Sequence, residues 1–316
     1  MNSLDKTAAV IGGGLAGCEA SAVLARGGAR VTLFEARPTT FSAVHKSDDL
    51  GELVCSNSLK SDRPDRPQGW LKEEMRLLGS VVMEAAGRTR IPGGEALVVD
   101  RTRFAAELTG VIASIPGIEV IRYAVQDIGE LLDAFDIVVL ATGPLTEGPI
   151  AGSLTRTIGG DGMYFYDAIS PIVSASSVDF DMAFRSSRYG RGGDDYVNCP
   201  MTKEQYLAFR DALLASEKVA SRDFEKENYF EGCLPVEVIA SRGEMALAFG
   251  PLSPAGLADP STGRRPYVVL QLRMENVEGT AFSLVAFQTR MKYGEQERVL
   301  KMVPALHRAE FLRFGS

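Results

Sequence analysis

Apolar positions fall into a regular order at the start of the chain. Thr7 to Ile11 is a short continuous apolar run, the pattern of a strand buried on both faces. Leu15 to Arg26 carries apolar residues at helical spacing, with Ala16, Ala20, Val23 and Leu24 predicted to share one face. Arg30 to Phe34 is a second strand, closed by Glu35, and Asp136 to Ala141 is a further buried strand. Between them, Gly69 to Leu78 reads as an amphipathic helix with Trp70, Leu71, Met75 and Leu78 available to the core. Arg101 to Ile115 reads as another helix, ended by Pro116-Gly117. The texture changes from about Gly162. Thr202 to Ser216 is predicted helical, with a Thr202/Gln205 capping box and Tyr206, Phe209 and Leu213 on one face. Tyr267 to Met274 and Thr280 to Thr289 read as antiparallel strands joined through Asn276 to Gly279.

The turn between the first strand and helix is Gly12-x-Gly14-x-x-Gly17. In such a turn the first glycine permits the tight bend and the second lets backbone approach a pyrophosphate. The third lets the helix pack close to the strand. Free N–H groups at the helix start then hold the phosphates. Glu35, 18 residues after Gly17, is placed to accept a hydrogen bond from a ribose hydroxyl. An ordinary glycine-rich turn would leave that acidic residue unexplained. The expected dinucleotide contacts are Gly12, Gly13, Gly14, Leu15, Ala16, Gly17 and Glu35, with Thr142 and Gly143 at the end of the later strand. The Ala141-Thr142-Gly143-Pro144 ending resembles that of two-dinucleotide-type flavoproteins, which favours FAD over NAD as the ligand of this turn.

At 316 residues the chain is long enough for two domains. No apolar run approaches the ~18–20 residues needed to span a bilayer, and Met1 to Lys6 lacks the apolar region of a secretory signal. Four cysteines without a Cys-x-x-Cys pair argue against a zinc site, and their wide spacing argues against a disulfide framework, so a cytoplasmic location is expected. A net charge of −7 does not by itself recommend a nucleic-acid binder. Basic groups nevertheless cluster at Arg185, Arg188 and Arg191, at Arg264 and Arg265, and at Arg290 and Lys292; on composition alone a solvated surface is the favoured explanation of them. Residues 36 to 68 form one long irregular stretch rich in Pro, Ser, Asp and Gly, and loops of that length in compact domains are functional or disordered.

Free cysteine is usually a buried, inert residue, so each is weighed separately. Cys18, inside the first helix, reads as structural, and Cys199, just ahead of a helix, as ambiguous but structural. Cys55 lies in the long polar loop. Cys233 lies between Gly232 and Leu234-Pro235, a rigid turn able to present a thiol. Either could serve thiol chemistry, given a neighbour that favours the thiolate.

Several segments together resemble one family: Glu-Leu-Val-Cys-Ser-Asn-Ser-Leu (52–59), Leu-Lys-Glu-Glu-Met-Arg (71–76), Tyr-Phe-Tyr-Asp-Ala (164–168), Asn-Cys-Pro-Met-Thr (198–202), Phe-Glu-Gly-Cys-Leu-Pro (230–235), Gly-Arg-Arg-Pro-Tyr (263–267) and Phe-Gln-Thr (287–289). The chain is similar to the bacterial folate- and FAD-dependent tRNA uracil-5-methyltransferases along its whole length. The resemblance implies an α/β fold: a Rossmann-type FAD-binding domain of the two-dinucleotide type with an inserted mixed α/β domain. The corresponding divisions are residues 1–160, 161–310 and a return to the FAD domain at 311–316. It implies transfer of a one-carbon unit from 5,10-methylenetetrahydrofolate to C5 of a tRNA T-loop uridine, with NADPH or NADH reducing the flavin. Cys233 becomes the nucleophile, Cys55 the base or gatekeeper near the flavin, and Arg185, Arg188, Arg290 and Lys292 candidate RNA contacts. The family's pattern runs on past the equivalent of Ser316 into a part that completes the flavin site, so this chain is expected to carry the ADP-gripping half. Methylation of ribosomal RNA uridine, a generic FAD-dependent oxidoreductase and an inactive fragment stand as alternatives.

Overall fold

The computed structural model describes residues 6–42, 44–143, 146, 148–158, 170–219 and 234–315. The first part of the chain runs β1 (Thr7–Ile11), α1 (Leu15–Arg26), β2 (Arg30–Glu35), β3 (Ser58–Ser61), α2 (Pro67–Leu77), α3 (Val81–Arg88), β4 (Arg90–Ile91), β5 (Ala96–Val99), α4 (Arg101–Ser114), β6 (Ile118–Arg122), α5 (Gly129–Ala134), β7 (Ile137–Leu140) and α6 (Pro149–Ile158). The second part continues with β8 (Ile172–Ser174), β9 (Phe184–Arg185), β10 (Tyr196–Met201), α7 (Lys203–Ala215), α8 (Val236–Ser241), β11 (Val268–Met274), β12 (Ala281–Leu284), α9 (Tyr293–Leu300) and β13 (Phe311–Arg313). Two compact units form: one from Met1–Val54, Pro64–Arg90 and Arg101–Phe165, the other from Cys55–Arg63, Ile91–Asp100 and Tyr166–Ser316. The two short stretches that a single division near residue 160 leaves in the first domain therefore belong to the second unit.

The first unit is built on a parallel sheet of order β6-β2-β1-β7. Its central strand is apolar because both faces are covered: Ala8, Ala9 and Val10 are wholly buried. Helix α1 follows the tight turn as predicted, but its inward face differs. Gly17, Cys18, Ser21 and Ala22 are buried, whereas Ala16 and Val23 are exposed. The cause is local. A Cβ on Gly17 would stand 1.8 Å from the Gly12 carbonyl oxygen, so that backbone contact sets the rotation of the helix and brings its small residues inward. Helix α2 starts at Pro67, a residue suited to a first turn. Here too the predicted apolar face is not the covered one: Gly69 and Lys72 are buried, while Trp70, Leu71 and Leu78 are more than half exposed. Periodicity finds a stripe but does not say what covers it.

The second unit holds an antiparallel sheet of order β13-β8-β12-β11-β10-β9. Helix α7 packs Tyr206, Phe209 and Leu213 into its core, and the predicted capping box closes its start. Gln205 N–H donates to Thr202 Oγ1 (3.3 Å) and Thr202 N–H to Gln205 Oε1 (2.8 Å). Cys199 lies within β10, fully buried, rather than in a pre-helical loop. The strand predicted over 280–289 is shorter, Ala281–Leu284, because Ala286 adopts a left-handed conformation (φ 53°) and bends the chain out of the ladder. Strand β11 alternates apolar and polar residues over its second half, yet Gln271 and Arg273 are buried along with Leu270 and Leu272, so both of its faces are covered.

Candidate functional site

In the first unit the predicted dinucleotide residues come together at the carboxyl ends of β1, β2 and β7. Gly12 N–H donates to the Phe34 carbonyl (2.8 Å) and Ala141 N–H to that of Ile11 (2.9 Å), which draws the three strand ends together. Gly12 has φ +103°, and a Cβ there would lie 2.5 Å from the Ala141 carbonyl oxygen, so only glycine fits. A Cβ on Gly13 would strike Leu50 and Glu35, whereas one on Gly14 would meet nothing within 4 Å. The space beside the Gly14 backbone is therefore open, as close approach of a pyrophosphate requires. Gly14 caps α1 without a side-chain hydrogen bond and no acidic residue stands in the first turn, leaving the amides of Leu15 and Ala16 at a positive helix end. Thr142 and Gly143 follow β7, tied by Thr146 Oγ1, which donates to Thr142 Oγ1 (2.7 Å) or to the Gly143 carbonyl (2.6 Å). These features fit the ADP half of a dinucleotide.

Glu35 is buried and closely held. Gly13 N–H donates to its Oε2 (2.8 Å), and Arg37 donates to its Oε1 from both backbone (3.0 Å) and Nε (2.8 Å). Burial opposes ionisation, but the Arg37 and Gly13 hydrogen bonds outweigh it and keep the carboxyl below its usual range. Oε2, with the Gly13 amide as its one donor, keeps acceptor capacity for a ribose hydroxyl, whereas Arg37 occupies both lone pairs of Oε1. Arg37, which the sequence did not single out, is the hub of this corner. Its Nη1 reaches Glu52 Oε2 (3.2 Å) and the Ser47 carbonyl (3.1 Å). Glu52 in turn accepts from the amides of Lys46 and Ser47, and Gly51 N–H donates to the Gly13 carbonyl (2.8 Å). The first half of the long loop is thus fastened to the glycine turn.

The second unit holds the loop around Cys55 and the residues that follow Cys233. Cys55 is half-buried in a loop, and its neighbour Asn57 is fully buried. Asn57 Nδ2 donates to the carbonyls of Val99 (3.0 Å) and Met274 (2.8 Å), while Arg273 donates from Nε to Asn57 Oδ1 and from Nη2 to Ser56 Oγ, both at 2.9 Å. Cys233 itself, like the 164–168 segment, lies outside the described residues. The residues after it are firmly placed. Leu234 is buried, and Val236 N–H donates to the Gln288 carbonyl (2.8 Å). The Glu237 carboxylate accepts from Thr289 Oγ1 (3.1 Å) and Arg290 N–H (2.6 Å). The residues that follow the 230–235 motif therefore meet the 287–289 motif. Cys18 and Cys199 are different: burial pushes each thiol up to about 12, with the Glu35 carboxylate adding to the effect at Cys18. Neither is a working thiolate near neutral pH.

The candidate RNA-contacting cations divide. Arg188 is half-buried, with Nε on Gln271 Oε1 and Nη1 on the Ala255 carbonyl, both at 2.8 Å, and burial lowers its pKa. It continues a polar network through Gln271 Nε2 to Asn198 Oδ1 (2.9 Å). Arg290 donates from Nη2 to the Val219 carbonyl (2.9 Å). Both serve the fold. Arg185 is exposed, with its guanidinium 5.5 Å from the Phe180 ring centre, and Lys292 is an exposed cation paired with Glu217 at 2.7 Å.

A family profile described as Glucose inhibited division protein A matches residues 7–316. The chain is 55% identical over 311 residues to the "Methylenetetrahydrofolate--tRNA-(uracil-5-)-methyltransferase TrmFO" of Oleidesulfovibrio alaskensis, covering 98% of this chain and 70% of that protein. It is 53% identical over 308 residues to the protein of the same name from Geobacter sulfurreducens (97% and 70%), and 55% identical to that of Nitratidesulfovibrio vulgaris (98% and 65%). The chain thus spans about two thirds of the length of these relatives. Among solved structures, Aquifex aeolicus GidA superposes with a TM-score of 0.68 at 15% identity, over 98% of this chain and 55% of that one, a likeness of fold.

Proposed function

The chain belongs to the glucose inhibited division protein A family, among the folate-dependent tRNA (uracil-5-)-methyltransferases, and from that premise we propose that it takes part in the 5-methylation of a tRNA T-loop uridine. The observation that carries the reading is 55% identity across 98% of the chain. FAD, when bound, supplies the one-carbon unit taken from 5,10-methylenetetrahydrofolate together with the reducing electrons, which NADPH or NADH replenishes. The Gly12–Gly17 turn would hold its pyrophosphate, Glu35 its ribose, and Thr142-Gly143 the floor beside them.

The remaining chemistry belongs to the two thiols. Uracil C5 is a poor nucleophile. Addition of the Cys233 thiolate to C6 breaks the C5–C6 double bond and places the electron pair at C5 as an enolate, which attacks the one-carbon electrophile. The C5 proton must then leave, so that the electron pair re-forms the double bond and expels the thiolate. Cys55 is assigned that proton. The pinning of Ser56-Asn57 supports a fixed presentation of the Cys55 segment, and Val236 and Glu237, a few residues after Cys233, are held by the 288–290 stretch.

RNA bearing 5-fluorouridine at the target tests this directly, because fluorine at C5 cannot leave as a cation and the adduct persists. Wild type should form an adduct stable to denaturation, and Cys233→Ala should not. Equal trapping by both removes Cys233 from the role. Parallel assay of tRNA and ribosomal RNA distinguishes the substrate.

A further inference from the structure

We infer that Tyr189 and Arg191, in the turn after the edge strand β9, form a stacking platform for an unpaired RNA base. The inference rests on the RNA-modifying reading above and adds a contact site to it. Tyr189 is 65% exposed and adopts a left-handed backbone (φ 57°), a conformation that is costly for a bulky residue. Three contacts hold it there. Its N–H donates to the Gly256 carbonyl (2.7 Å), and Arg188 grips the adjoining Ala255 carbonyl (2.8 Å). Its ring lies so close over Gly256 that a Cβ there would stand 2.8 Å from three ring carbons.

An exposed aromatic ring set by a strained backbone, a glycine and a half-buried arginine is rigidly presented, so little side-chain freedom is lost when a partner stacks on it. Arg191, itself exposed, places its guanidinium 5.6 Å from the ring centre, and Glu95 lies 3.6 Å from the same guanidinium. Planar guanidinium and phenol groups are the two surfaces on which splayed RNA bases stack, and the cation adds attraction to phosphate. A second arginine–aromatic pair, Arg185 over Phe180, stands at the start of the same stretch. A single-stranded base fits this arrangement better than a paired one, because a duplex offers no free π-face.

The test is binding of the protein to a T-loop hairpin and to a fully paired duplex of equal length, by fluorescence anisotropy, with a fluorescent base analogue in the loop. Tyr189→Ala should weaken hairpin binding about tenfold or more and leave duplex binding unchanged, with the analogue no longer quenched. Tyr189→Phe should behave as wild type. Gly256→Ala, which removes no side chain but displaces the ring, should act like Tyr189→Ala. Arg191→Ala should weaken the hairpin and reduce the salt slope by about 1. Unchanged hairpin affinity in Tyr189→Ala, or equal losses on hairpin and duplex, overturns the platform while leaving the methyltransferase reading intact. A wild-type protein that binds neither RNA overturns both.

Discussion

Replacing Arg37 by Met is the sharpest test of how the dinucleotide corner is held. The substitution keeps length and apolar stem but removes the charge between two carboxylates that are each less than one-tenth exposed, Glu35 and Glu52. Three side-chain contacts go: Nε to Glu35 (2.8 Å), Nη1 to Glu52 (3.2 Å) and Nη1 to the Ser47 carbonyl (3.1 Å). Breaking one partner out of a buried ion pair costs about 3–5 kcal/mol. Both carboxylates keep backbone amide donors, at Gly13 and Arg37 for one and at Lys46 and Ser47 for the other, which puts the expected loss near the lower end, about 3 kcal/mol. At ~2–4 °C per kcal/mol for a domain of this size, the melting temperature should fall by about 6–12 °C. Adding Glu52→Gln removes one of the uncompensated charges and should restore roughly half of that. Melting followed by circular dichroism, with FAD titration alongside, reads both effects; FAD affinity should fall because Glu35 loses its orienting partner. A loss below about 1 kcal/mol, or no recovery in the double variant, would show that backbone donors alone hold the corner.

Glu35 also predicts a pH response. Its folded carboxyl lies below the ordinary value of 4.5, so its contribution is complete above that pH and is lost as pH falls through the folded value. The melting temperature should drop on acidification below about 4.5, and Glu35→Gln should flatten that part of the profile; an unaltered profile would remove Glu35 as the source. Gly17→Ala drives a methyl group into the Gly12 carbonyl oxygen and should abolish FAD binding, whereas Gly14→Ala, with open space at its Cβ, should leave the protein folded and weaken only the cofactor. Iodoacetamide at mildly alkaline pH, followed by peptide mass spectrometry, should label Cys55 in the folded protein long before Cys18 or Cys199, whose thiols burial pushes up to about 12. Equal labelling rates would contradict that division.

What was legible in the chain is what short range determines. The run Thr7–Ile11, the glycine spacing and the terminal Glu35 give β1, α1 and β2 together, because a tight turn, a close helix–strand contact and an acidic strand end are all local demands. The Thr202/Gln205 box is equally local. Side-chain burial was less legible. Val23 and Trp70 sit at helical spacing yet face outward, since what covers a stripe depends on residues far along the chain. The polar interior was hidden for the same reason: Arg273 meets Asn57 across a separation of 216 positions, and Arg188 looks like part of a basic surface until Gln271 and the Ala255 carbonyl are seen to hold it. One signal was available for Arg273. A charged residue at the alternate position of an otherwise apolar strand asks for either solvent or a buried partner, and the partner proved to be the segment following Cys55.

The central claim is that this protein places a folate-derived carbon on uracil C5. The most direct measurement incubates it with a tRNA transcript, FAD, NADPH and 5,10-methylenetetrahydrofolate deuterated at the bridging carbon, then analyses the nucleosides by mass spectrometry. The account predicts 5-methyluridine at one T-loop position whose methyl group carries both deuterons. A methyl group without deuterium, or a transcript left unmodified while flavin is bound and reduced, would contradict it.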